Sequence, residues 1–291
     1  MTMSGPFTKG LVLFCDEMPT ALAHIFADDG FVIAADGLSI VTKSDSAERR
    51  SVRTQKIFLL PGTRRKLACA FTGMVTLFND ARDKVAFNFI SEVLRAARKI
   101  QPGLSRDGND YVYSLSGEVL RRLVEAKESG KFTLPHSDQP NPHTIVRVYV
   151  DGYLDGRPFR TGIKFCAIDQ ILKRDFLDGI DSHDLTDGKS RFNGSRRLAK
   201  LFFHREDARL IEYRTAACRR ITARIYDPEL PLSLAEAIDA ARNFIAASSA
   251  RVAKEIEGDA YQRIGGKLQL ATITPKKGFQ WIERPEKFDP L

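Results

Sequence analysis

The chain has 291 residues, 43% of them hydrophobic and 28% charged, enough apolar content for one large domain or two modest ones and too much for a disordered or fibrous chain. Lys plus Arg exceed Asp plus Glu by 45 to 37, a balance of +8. The arginine doublets at Arg49-Arg50, Arg64-Arg65, Arg121-Arg122, Arg196-Arg197 and Arg219-Arg220 are scattered instead of gathered into one stripe, so nucleic acid is not the expected partner.

Residues 20–27 and 31–36 are apolar, partly β-branched runs divided by Asp28-Asp29-Gly30, and the Asp-Gly step predicts a hairpin. With Asp29 and Gly30 as a two-residue loop, opposite residues sum to 59 and Thr20 faces Ser39. Residues 53–60 and 66–72 predict a second hairpin across Pro61-Gly62-Thr63. After Gly73 the period becomes helical, and Phe78, Ala81, Val85, Phe89, Val93 and Ala97 predict one long amphipathic helix. Leu115, Val119, Leu123 and Ala126 predict a second helix beside it.

Residues 144–166 read as strand, turn and strand, with Asp151-Gly152 and Asp155-Gly156 between the two strands. A third helix is expected beyond Gly194-Ser195, and residues 204–231 read as a charged, irregular insertion. Ser233 and Glu236 form a capping box that opens a fourth helix, and residues 267–274 and 279–283 predict a last strand pair. Two blocks of strands with helix pairs between them, and no Pro/Gly/Ser-rich linker, imply a layered α+β domain.

Cys15, Cys69, Cys166 and Cys218 are widely spaced with no CxxC pair, so neither a disulfide framework nor a zinc knuckle is expected. A reducing, cytoplasmic compartment fits. No apolar run approaches the ~18 residues of a membrane span. The run Leu11 to Phe14 is too brief for a signal-peptide core.

The segment from Thr20 to Asp36 resembles the opening of a proteasome β-type subunit, with a threonine starting the first strand and an aspartate ending the second. Gln55-Lys56-Ile57-Phe58 resembles that family's lysine-bearing strand, and Ala70-Phe71-Thr72-Gly73 resembles the strand end whose glycine amide serves an oxyanion. Residues 233–251, then Gly258-Asp259-Ala260-Tyr261 and Gly265-Gly266, resemble the last long helix and the loop after it. The resemblance implies an N-terminal nucleophile (Ntn) hydrolase with a four-layer αββα sandwich of two antiparallel sheets between helices. Residues 1–19 would be an N-terminal extension or propeptide, and residues 20–291 one domain carrying the 204–231 insertion. It further implies a homo-oligomeric ring, a polypeptide or small amide substrate, and no cofactor or metal.

These residue types suit that chemistry. A threonine hydroxyl is a poor nucleophile without a base, and a free α-amine on the same residue, with a pKa near 8, can serve. A buried lysine beside the hydroxyl and a carboxylate holding its ammonium complete the set, the roles of Lys56 and Asp36. The Gly73 amide would donate to the tetrahedral oxyanion, an interaction typically worth about 3 kcal/mol. Asp259 would tie the Thr20 amine to the last loop. Asn193 and Ser195 are candidate outer hydrogen-bonding residues, and Ser39, Thr54 and Phe71 candidate substrate contacts.

Plainer readings stand beside these. Thr20 is a β-former, Lys56 could be an edge-strand charge that discourages pairing, Asp36 could cap a turn, and Asp259 could be a loop carboxylate. His24 reads as a packed or pore-facing histidine. Pro19 stands where self-processing members present glycine, Leu38 where active members carry arginine, and Asn193 where serine is common. Gln262-Arg263-Ile264 interrupts the final loop. These departures sustain the alternative of an inactive proteasome-like ring or scaffold subunit that keeps residues 1–19.

Overall fold

The computed structural model describes residues 20–42, 49–64, 66–81, 84–100, 108–134, 143–168, 171–177, 185–186, 190–193, 196–204, 207–227, 229–258 and 264–285. The elements run β1 (Leu22–Ala27), β2 (Gly30–Ala35), β3 (Leu38–Thr42), β4 (Arg49–Arg53), β5 (Ile57–Leu59), β6 (Leu67–Gly73), β7 (Thr76–Phe78) and β8 (Val85–Asn88). Helices α1 (Phe89–Lys99) and α2 (Gly108–Glu128) follow, then β9 (His143–Leu154), β10 (Arg157–Ile168), β11 (Ile171–Phe176), β12 (Leu185–Thr186) and β13 (Ser190–Asn193). The chain continues through α3 (Arg196–His204), a 3-10 turn at Ala208–Tyr213, α4 (Ala216–Tyr226), α5 (Leu234–Ser249), α6 (Arg251–Glu257), β14 (Gln269–Thr274) and β15 (Gly278–Glu283).

The result is a mixed α+β fold with antiparallel sheets. One sheet has six strands in the order β12-β13-β1-β2-β14-β15, and a second has five in the order β11-β10-β9-β6-β5. Period-two alternation divides their side chains between two faces. Ala21, Ala23, Ile25, Val32 and Ala34 pack with residues of α3 to α6. Leu67, Cys69, Phe71, Val148 and Val150 pack with residues of α1 and α2. A third apolar cluster draws on both sheets, with Leu22, Phe31, Ile33, Ala271 and Ile273 from the first and Ile57, Ala68, Ala70 and Tyr149 from the second.

The first hairpin departs from its expected register. Leu22 pairs with Ala35 and Ala27 with Gly30, so the loop is Asp28-Asp29 and opposite residues sum to 57. Gly30 belongs to the ladder, where a Cβ would lie 2.5 Å from the Ile273 carbonyl oxygen. The glycine answers the close approach of β14, not the turn. A two-residue shift leaves the parity of the pairing unchanged.

Three other expectations are corrected. The helix expected from Phe78 begins only at Phe89, because Asn88 caps it by accepting from the Ser91 N–H at 2.9 Å. The preceding residues form the β7–β8 hairpin. Asp151-Gly152 is no turn: β9 runs through it, and the reversal occurs at Asp155-Gly156, with φ of 49° and 77°. Residues 207–227 are not irregular either, since Leu210, Ala217, Cys218 and Ile221 are buried against the cluster holding Phe192, Phe202, Phe203 and Phe244. Each of those phenylalanines contributes about 2–3 kcal/mol by burial. The Ser233 capping box is present in full at the start of α5.

Candidate active site

Thr20 enters β1, Asp36 directly follows β2, and Lys56 directly precedes β5. Three element ends thus converge where strands of the two sheets begin or end. The Lys56 Nζ donates to Asp36 Oδ1 at 2.6 Å and to Thr20 Oγ1 at 3.3 Å. All three residues are buried, with Asp36 at 0%, Lys56 at 4% and Thr20 at 7% exposure. The edge-charge reading of Lys56 is therefore excluded, because its ammonium is turned inward onto a carboxylate.

Asp36 is held through backbone as well as through the cation. Its Oδ1 accepts from the Ala21 N–H at 3.0 Å, and its Oδ2 accepts from the N–H groups of Leu38 and Gly265, each at 3.3 Å. Burial pushes the Asp36 carboxyl above its usual range, opposed by Lys56 and by the Gly265 and Leu38 donors. Burial likewise pulls Lys56 below the usual lysine range against the pull of Asp36. A lysine so placed is a hydrogen-bond donor to the hydroxyl whose affinity for its own proton is reduced.

The loop after Asp36 interlocks with the segment before β14. The Gly37 N–H donates to the Gly265 carbonyl at 2.8 Å, and the Thr54 N–H to the Gly37 carbonyl at 3.0 Å. Gly266 has φ of 78°, and a Cβ there would sit 2.8 Å from the Gly37 carbonyl carbon. Only glycine allows this contact. It brings the Gly265 N–H to Asp36 across 229 positions of sequence.

Gly73 ends β6 in the left-handed region at φ of 92°. By the register in which Ile57 faces Ala70, it lies two residues past the partner of Lys56, at the same end of the sheet. Among the expected substrate contacts, Thr54 stands two residues before Lys56 and is half-buried, and Ser39 lies in β3 opposite Val52. Phe71 is a correction in placement: its side chain is buried in the cluster with α1 and α2, edge-on to Phe58 at 5.7 Å between centroids, so the fold does not bring it to Thr20. Asn193 ends β13 opposite Leu22. Asp259 and Ser195, like Pro19 and Cys15, lie outside the described residues.

No family model matches the chain, and no curated protein matches it. Among solved structures it is similar to Anbu (ancestral beta-subunit) from Yersinia bercovieri, at 13% identity and a TM-score of 0.44, over 90% of this chain and 87% of that one. No helix among the described residues is long and apolar enough to cross a membrane, and no group of three or more His, Cys, Asp and Glu among them could hold a metal ion.

Two polar features escaped the sequence. Gln269, 1% exposed, accepts from the Lys56 N–H at 2.9 Å and donates to the Thr54 carbonyl at 2.5 Å. The signal was present, since Gln269 shares the inward parity of Ala271 and Ile273 in an apolar strand. The second is a buried cluster in which Asp151 accepts from His24 Nδ1 and, at 2.6 Å, from Arg160 Nε. His24 is thus a packed residue rather than a pore-facing one. Burial alone would raise the Asp151 carboxyl, but His24 and Arg160 together hold it well below the usual carboxylate range.

Proposed function

We propose that the chain is a threonine-type peptide or amide hydrolase, proteasome-like in its layering of helices, sheet, sheet and helices, whose nucleophile is Thr20 once residues 1–19 are removed. The observation that carries this reading is the buried contact of the Thr20 hydroxyl with an ammonium itself paired to a carboxylate, at 3.3 and 2.6 Å. The three apolar clusters, two between sheet and helices and one between sheets, support the αββα arrangement of residues 20–291.

In this mechanism the liberated α-amine of Thr20 takes the hydroxyl proton while Oγ1 attacks the amide carbonyl carbon. Lys56 donates toward the forming alkoxide and lowers its cost, and Asp36 keeps the ammonium aimed. The developing oxyanion accepts from the Gly73 N–H. Collapse breaks the C–N bond, and the α-ammonium returns its proton to the departing amine. Water then hydrolyses the Thr20 ester by the same base. Asp259 and Ser195 are proposed to orient the amine, and Ser39 and Thr54 to border the substrate.

Intact-mass measurement and N-terminal sequencing of the purified chain test the reading. A mature chain beginning at Thr20 with turnover of a fluorogenic peptide, abolished in Thr20→Ala, is the expected result. An uncut chain whose turnover survives Thr20→Ala overturns it. Pro19 keeps the second reading, an inactive ring or scaffold subunit, in view; its outcome is an uncut chain with no turnover.

A further inference from the structure

Lysine is a poor choice for holding a charge to within tenths of an ångström, because four rotatable bonds separate the ammonium from the backbone. Its root must therefore be fixed. The Lys56 carbonyl is taken by the five-stranded sheet, accepting from the Phe71 N–H at 3.2 Å. Its N–H is taken by the other sheet, through Gln269 Oε1 at 2.9 Å. The same carboxamide donates through Nε2 to the Thr54 carbonyl at 2.5 Å, so one side chain brackets the Thr54–Lys56 segment from both ends. Gln269 is paired with Ala35, the residue before Asp36. One buried amide thus references the backbone of the lysine to the backbone of the carboxylate it must meet.

The direction of the Lys56 side chain agrees with this. Ile57 faces the other sheet, and strict alternation would send Lys56 toward the helical side with Phe58. Its ammonium instead reaches Asp36 and Thr20. The Lys56 N–H leaves the ladder for Gln269 at the residue where this alternation fails.

We infer that Gln269 is a positioning residue for Lys56, an inference that rests on Lys56 acting as in the reaction above. The chemistry favours a carboxamide: the site needs one acceptor and one donor, both buried and neutral, and glutamine carries both. Leucine would leave the Lys56 N–H and the Thr54 carbonyl without a partner. An ionised glutamate would set a lone pair against that carbonyl, whereas a protonated one restores the original pattern.

The test compares wild type, Gln269→Leu and Gln269→Glu for peptide turnover across pH and for the titration midpoint of Lys56, followed by carbon-13 NMR of lysine-labelled chain and assigned with Lys56→Arg. Gln269→Leu is expected to lower kcat by about tenfold or more with KM within about threefold, and to displace the Lys56 midpoint. Gln269→Glu is expected to keep its activity on the acid side and lose it as the new carboxyl ionises, a pH dependence that a merely structural role would not create. Folded Gln269→Leu with kcat within about twofold and an unmoved midpoint overturns the inference. Should Gln269→Leu fail to fold, a Gln269→Glu profile parallel to that of wild type overturns it equally. If wild type shows no turnover, the proposed hydrolase reading falls, and the Lys56 midpoint alone decides the positioning role.

Discussion

Two buried charged clusters stand between the same sheets, four residues apart along one face of β1, and their wiring differs. At Thr20 the carboxylate of Asp36 meets one cation and three backbone N–H groups, and the cation has a hydrogen bond left for a hydroxyl. At His24 the carboxylate of Asp151 meets a guanidinium and an imidazole, and Arg160 also lies over the Phe31 ring at 5.4 Å. Burial wins at Asp36, whose carboxyl is pushed up; the two side-chain partners win at Asp151, whose carboxyl is pulled down. Burial alone therefore does not make a reactive group. A carboxylate fixed to its own loop, with one shared cation, leaves an ammonium poised beside an oxygen, while a carboxylate fixed by side chains of β1 and β10 ties one sheet to the other.

The comparison can be broken by mutation. Lys56→Ala is expected to cut turnover by at least about a thousandfold and to cost about 3 kcal/mol in urea unfolding, since Asp36 loses the ammonium paired with it while still buried. Thr20→Ala should match the loss of turnover while shifting stability by only about 1 kcal/mol. Equal stability losses in the two variants would contradict the pairing assigned to Lys56.

Asp151→Asn should show the reverse profile, losing about 3 kcal/mol of stability with kcat of the folded fraction unchanged. A fall in kcat as large as that of Lys56→Ala would dissolve the distinction between the clusters. The pH dependence sharpens it. Because the folded carboxyl of Asp151 lies below its ordinary value of 3.8, its stabilisation is present above that pH and drains away as pH falls below it. The stability gap between wild type and Asp151→Asn is thus expected to narrow as pH falls below about 4. A gap that widens in acid would reverse the sign assigned here.

The smallest effect belongs to a site remote from both clusters. Ser233→Ala removes the cap that accepts from the Glu236 N–H and should cost about 1 kcal/mol with turnover per folded chain unaltered. A change in turnover there would mean that α5 communicates with the site through β1 and β2, on which it packs.

Much of the fold was legible because local chemistry and period agree in the sequence. The Asp-Gly step announced a hairpin, the Ser233 capping box opened α5, and Leu115, Val119 and Leu123 marked the buried stripe of α2. The legible part of the site was its order: Thr20, Asp36 and Lys56 were nominated by the resemblance to proteasome β-type subunits, and they meet within hydrogen-bonding distance. Errors arose where one residue type answers two demands. Gly30 serves a close strand approach instead of a turn, Asp151-Gly152 continues a strand, and Phe78 to Val85 carry a helical period by coincidence in a hairpin.

By itself the sequence determined the alternation of apolar faces and the helix caps, since each depends on neighbours within a few positions. Tertiary structure alone decided that Gln269 would clamp Lys56 from 213 positions away, that Gly265 would reach Asp36, that Asp151 would find His24 and Arg160, and that Phe71 would face the helices. A buried polar group is satisfied only by whatever the fold brings within 3 Å or so, and which partner that is depends on strand order and register, quantities that no local stretch of chain encodes.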